Sequence, residues 1–120
     1  MASFKELEVY QRSVRLVKFI CDLTHAYPDE EKYGLVTQIR RAAVGIPSNI
    51  AEGASRRTAK DRQYFIDIAL GSLNEVYAQM LLSNELGYIT GTTVGRFESG
   101  YEVLRPKLIA YQRSIHSRPT

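Results

Sequence analysis

Cysteine occurs once in this 120-residue sequence, at Cys21, and histidine twice, at His25 and His116. A single cysteine excludes an internal disulfide framework and every multi-cysteine zinc pattern. Neither histidine belongs to a Glu-x-x-His pair of the kind that holds metals inside helical bundles, so no metal and no other cofactor is expected. No apolar run approaches the roughly 18 residues of a membrane span. The glycines at 71, 87, 91 and 95 form no phosphate-cradling loop and read as packing or helix-end residues. The stretch MASFKELEVYQR alternates charges and lacks the apolar core of a secretory signal, which leaves the cytoplasm as the expected location.

What is present is ordinary for a water-exposed globular domain: 44% hydrophobic and 24% charged residues. The length predicts one domain over residues 1–116, with Ser117 to Thr120 expected to fray. The charge is distributed unevenly. Arg40, Arg41, Arg56, Arg57, Lys60 and Arg62 face only Glu52 and Asp61 between residues 40 and 62, so the net +3 of the chain originates there.

Hydrophobic periodicity predicts four helices and no hairpin. In the first, Tyr10, Val14, Val17, Cys21 and Thr24 form the expected apolar face, flanked by Leu16, Ile20 and Leu23, and a Ser3/Glu6 capping box marks a start near residue 4. The second is expected to open at Pro28, with Asp29, Glu30 and Glu31 at the positive end of its dipole, and to end at Gly53. The third runs from the Thr58–Asp61 capping box to a glycine stop at Gly87. The fourth, after Thr90 or Thr93, repeats Val94, Phe97, Tyr101, Leu104, Leu108, Tyr111 and Ile115 in steps of 3 and 4. Short connections between four such segments imply an all-α, antiparallel up-down-up-down four-helix bundle.

The segment QIRRAAVGIPSNIAEG places a proline inside a helical pattern, where its missing N–H and its ring normally exclude it. The apolar stripe Leu35, Ile39, Ala42, Ile46, Ile50 nevertheless runs straight across Pro47, which predicts one helix kinked there rather than two short ones. Asn49, Glu52 and Glu75 lie close to core stripes, and carboxylates so placed are expected in an interhelical hydrogen-bonded network. An acid and base pair made of Glu52 and Glu75 is the less economical reading, since no histidine or metal pattern accompanies it.

The basic residues admit two readings. They are a solvated face, as arginine and lysine usually are, or a phosphate-binding patch, for which the guanidinium fork is suited. Arg41 and Arg56 would point about 60° apart around a straight helix at about 100° per residue, which would let them share a side.

FKELEVYQRS, YGLVTQIRRAAVGIPSNIAEGASR and YFIDIALGSLNEVYAQMLLSNELGYI together resemble the bacterial four-helix-bundle proteins first noted as reading frames within intervening sequences of 23S rRNA genes. The resemblance covers roughly residues 4 to 90 and becomes mainly a helical pattern beyond. It implies a cyclic homo-oligomer, specifically a pentamer, with RNA or DNA as a further partner. It carries no catalytic residues, so the expected function is non-enzymatic binding of nucleic acid through arginine–phosphate contacts. The alternative is a protein-interaction scaffold whose basic stretch is incidental.

Overall fold

The turn chemistry that the sequence advertises is used at three helix boundaries. The computed structural model describes residues 3–116, and the tail expected to fray, 117–120, lies outside them. Four helices follow one another: α1 (Glu8–Thr24), α2 (Leu35–Ala54), α3 (Ala59–Glu85) and α4 (Gly91–Arg113), with short 3-10 turns at Phe4–Glu6 and Asp29–Glu31. Thr58 Oγ1 accepts from Asp61 N at 3.1 Å and Thr90 Oγ1 from Thr93 N at 3.2 Å, capping α3 and α4. Gly87, at φ +80°, closes α3. Its N–H bonds to Asn84 O, and Tyr88 N–H bonds to Ser83 O, the paired pattern of a Schellman stop.

Each helix packs on its neighbours in sequence, and α1 also meets α4, closing a four-cornered all-α bundle. The α2–α3 seam is the most extensive and the α1–α4 seam the loosest. Ile20, Ile39, Ile46, Ile50, Ile66, Leu73, Met80, Phe97 and Leu108 fill the interior.

Three expectations change in the folded chain. First, α1 is rotated by one residue, about 100° around its axis. Its buried side is Val9, Ser13, Leu16, Ile20 and Thr24, and Val14 is exposed. Ser13 and Thr24 can be buried because their hydroxyls donate to the carbonyls of Tyr10 and Ile20 in their own helix, at 2.7 and 2.8 Å. A hydropathy pattern scores Ser13 as polar and so points the helix the wrong way. The Ser3 hydroxyl, expected to cap α1, instead accepts from Lys5 N in the 3-10 turn, and extended Leu7 separates that turn from α1.

Second, α2 does not open at Pro28. The acidic run forms a 3-10 turn, and the helix begins at Leu35, whose N–H is met at 3.4 Å by Glu31 Oε1. Third, Gly53 does not end α2, which continues to Ala54. A Cβ there would lie 3.0 Å from Phe65 Cβ and 3.2 Å from Arg62 O, and one at Gly45 would lie 2.9 Å from Ser72 Oγ. These glycines let α2 and α3 approach closely. The helix is continuous through Pro47, as the stripe predicts, and Leu35, Ile39, Ala42, Ile46 and Ile50 are all buried along it.

Candidate nucleic-acid interface

The six basic residues divide into three environments. Arg40 turns into the bundle: its Nε donates to Thr24 Oγ1 at 2.8 Å and its Nη2 to Cys21 O at 3.2 Å. Cys21 O is one of the last carbonyls of α1, where backbone partners run out and only the Thr24 hydroxyl also donates to it, at 3.2 Å, and a cation is favoured at that end of the dipole. Arg40 therefore serves as a C-terminal cap for α1 and a tie between α1 and α2. Cys21, expected on the apolar face of the helix, is half-buried beside it.

Arg41 is exposed on the second turn of α2. It stands apart from the other basic residues, since the remaining 13 positions of the helix to Ala54 carry the chain about 20 Å away at 1.5 Å per residue. Arg56 lies beyond the helix end, so the shared side expected for Arg41 and Arg56 does not form.

Arg56, Arg57, Lys60 and Arg62 gather at the α2–α3 turn. Arg56 pairs with Glu52 one helical turn back, and its guanidinium sits 4.7 Å from the Phe65 ring centre. Its Nε is screened from solvent and has no hydrogen-bond partner among the described residues. Arg57 and Lys60 are exposed. Arg62 donates from Nη1 to His116 O at 3.3 Å, which brings the end of the described chain to the same turn. Gln63 and Gln112 exchange bonds across this corner: Gln63 Nε2 donates to Gln112 O at 3.3 Å and Gln112 Nε2 to Gln63 O at 2.9 Å. That docking adds Arg113, in the last turn of α4, to the basic end. No linear reading finds Arg113, because half the chain separates it from Arg62. The opposite end of the bundle carries Asp22, Asp29, Glu30, Glu31 and Glu85 against Lys32, Arg40 and Arg41. The molecule is thus charged oppositely at its two ends.

Asn49, Glu52 and Glu75 form no interhelical network. Asn49 Nδ2 donates to Gly45 O at 2.7 Å in its own helix, Glu52 is exposed and paired with Arg56, and Glu75 is exposed with Gln79 Nε2 at 3.4 Å. The physical reason is the α2–α3 approach: small residues occupy the seam, and the carboxylates turn outward to water. Three further polar ties between elements are made by tyrosines. Tyr88 donates to Glu31 Oε2 at 2.7 Å, Tyr101 to Asn74 Oδ1 at 2.8 Å, and Tyr77 to Glu98. The neighbouring carboxylates hold the Tyr77 and Tyr88 hydroxyls above the ordinary tyrosine range, and burial does the same for Tyr27. Glu8 moves the other way, held low by Arg12 and then by Lys107.

The family model described as "23S rRNA-intervening sequence protein" matches residues 5–110. The fold is similar to a crystal structure from Bacteroides thetaiotaomicron, a protein of unknown function from the S23 ribosomal protein family. The two share a TM-score of 0.80 at 23% identity, covering 88% of this chain and 99% of that one. Among curated proteins no sequence relative matches. Among the described residues no helix is long and apolar enough to cross a membrane.

Proposed function

Since the chain belongs to the 23S rRNA-intervening sequence protein family, we propose that it is a non-enzymatic, self-associating protein of the cytoplasm that binds RNA or DNA through phosphate contacts. The observation that carries this reading is the collection of Arg56, Arg57, Lys60, Arg62 and Arg113 at one end of a bundle whose other end is acidic. Such a gradient orients an approaching polyanion and raises its local concentration at the basic end. Arg41 stands apart from this basic end, near the start of α2, and Arg40 is engaged in the tie between α1 and α2. Self-association as a ring, a pentamer on the family expectation, would repeat the basic end around an axis, and weak contacts per subunit would then sum to useful avidity.

The test is a salt series with fluorescently labelled single-stranded RNA and DNA. Removing one phosphate-binding side chain should flatten the slope of log affinity against log salt by about 0.7 for a single strand. Arg57→Ala combined with Lys60→Ala should therefore lower both affinity and slope with helical circular dichroism unchanged, since both side chains are exposed. A wild type that binds neither nucleic acid, or a double variant indistinguishable from it, would refute the reading. A second reading, a protein-interaction scaffold, is favoured by the apolar groove on the outside of α1 and α2. There Tyr10, Val14, Val17, Val44, Pro47 and Ala51 line one depression together, and apolar surface of this kind commonly marks a protein contact.

A further inference from the structure

The loosest seam of the bundle, α1–α4, carries three arginines around one opening. Between α1 and α4 a cleft of about 200 Å³ opens, with Phe19 and Phe97 in its floor and Arg12, Arg15 and Arg96 around it. Arg12 is engaged through its Nε by Glu8 at 2.7 Å. The Arg96 guanidinium lies 5.6 Å from the Phe19 ring centre. Neither Arg96 nor Arg15 has an ion pair with any described residue. Gly100 lines the cleft, and a Cβ added there would meet nothing within 4 Å. A glycine in a helix interior lowers helix stability, and no packing within the chain requires this one.

The complementary surface is on α3. Asp67, Gly71, Glu75, Ala78, Leu82 and Glu85 recur at steps of 4, 4, 3, 4 and 3, so they form one stripe, and all are exposed. The stripe carries three acids and no base. Leu81, Leu82 and Leu86 leave nearly half of their surface in water around its upper part. The two surfaces also match in height. Tyr101, next to Gly100, donates to Asn74, next to Glu75, so Glu75 stands level with the cleft along the bundle axis.

We propose that the α1–α4 cleft receives the acidic outer stripe of α3 from a second copy of this chain, with Glu75 set against Arg15 and Arg12 and the leucines set near Phe19. The two surfaces are different and lie on different sides of one bundle, so the contact is head-to-tail. Because they lie at the same height, a neighbour can be reached by rotation with little rise, as the ring of the reading above requires. A nucleic acid would satisfy the arginines and leave the acidic stripe with its leucines unexplained and repelling phosphate. A second copy satisfies both. The inference rests on the self-association in the reading above and is independent of its nucleic-acid half.

Sedimentation velocity across a micromolar concentration range, on Arg15→Glu, Glu75→Arg and the double variant, tests it. Each single charge reversal should raise the concentration of half-assembly by about tenfold or more, because it sets like charges face to face across the contact. The double variant should return most of that loss. Circular dichroism should be unchanged throughout, because both residues are exposed. A wild type that assembles and is indifferent to the reversals, or a double variant no better than the singles, would overturn these surfaces while leaving self-association intact. A monomeric wild type would overturn both. If Arg15→Glu weakens labelled RNA binding with its assembly unaltered, the cleft belongs to nucleic acid and the proposal fails.

Discussion

Replacing Gly53 by alanine sets two effects of opposite sign against each other, and the structure decides between them. In a helix interior, alanine is favoured over glycine by about 1 kcal/mol, because glycine gives up more backbone freedom on folding. At Gly53 the new methyl would lie 3.0 Å from Phe65 Cβ and 3.2 Å from Arg62 O. Carbon pairs are most favourable at roughly 3.5–4.0 Å, so the gap to Phe65 is short by at least about half an ångström. Neither obstacle is the end of a flexible side chain. One is a Cβ and the other a backbone carbonyl, so relief requires α3 to move as a body along its tightest seam. Overpacking of this kind costs about 1–3 kcal/mol. The net expectation is destabilisation by about 1 kcal/mol, seen as a lower midpoint in urea unfolding and a Tm lower by a few degrees. Gly95 supplies the control, since a Cβ there meets nothing within 4 Å. Gly95→Ala should raise stability by about 0.5–1 kcal/mol. If both variants stabilise the protein equally, the close α2–α3 approach at Gly53 is refuted.

Arg40→Met should cost about 1–3 kcal/mol in unfolding experiments, since it removes charge-assisted bonds to Cys21 O, which keeps only the Thr24 hydroxyl at 3.2 Å, and to Thr24. The same variant should leave the salt slope of nucleic-acid binding unchanged, and a flattened slope would return Arg40 to the interface. Thr58→Ala should destabilise by about 1 kcal/mol through loss of the α3 cap, measured by thermal melting. The raised values of Tyr27, Tyr77 and Tyr88 mean that the folded state holds these protons more tightly than the unfolded chain does, whose tyrosines titrate near 10.0. Their contribution is complete below that pH and is lost as pH rises through the folded values. Circular dichroism melts should therefore show stability falling on the alkaline side above about pH 10, with a smaller fall in Tyr88→Phe. An equal fall in that variant would exclude the Tyr88–Glu31 bond as a contributor.

The candidate site was half legible before the fold was known. The density of Arg56, Arg57, Lys60 and Arg62 on either side of one turn is a local property, and the structure keeps them at one end. Arg113 joins them only because the Gln63–Gln112 bonds dock the end of α4 there. Arg40 and Arg41 are neighbours in sequence with opposite fates, since successive helix positions point about 100° apart and only one of them faces α1.

By itself the sequence determined the number of helices, the cap at Thr58, the choice of Thr90 or Thr93 for α4, the stop at Gly87 and the unbroken run through Pro47. Each of these depends on residues within a turn or two of one another, so spacing alone carries the information. The tertiary structure decided the rotation of α1, the outward turn of Glu52 and Glu75, and the duty of Gly53. Whether a hydroxyl can be buried, or a glycine is needed for close approach rather than for a turn, depends on what the neighbouring helix brings to that spot. That neighbour is set by packing across the bundle, and no periodicity within one helix encodes it.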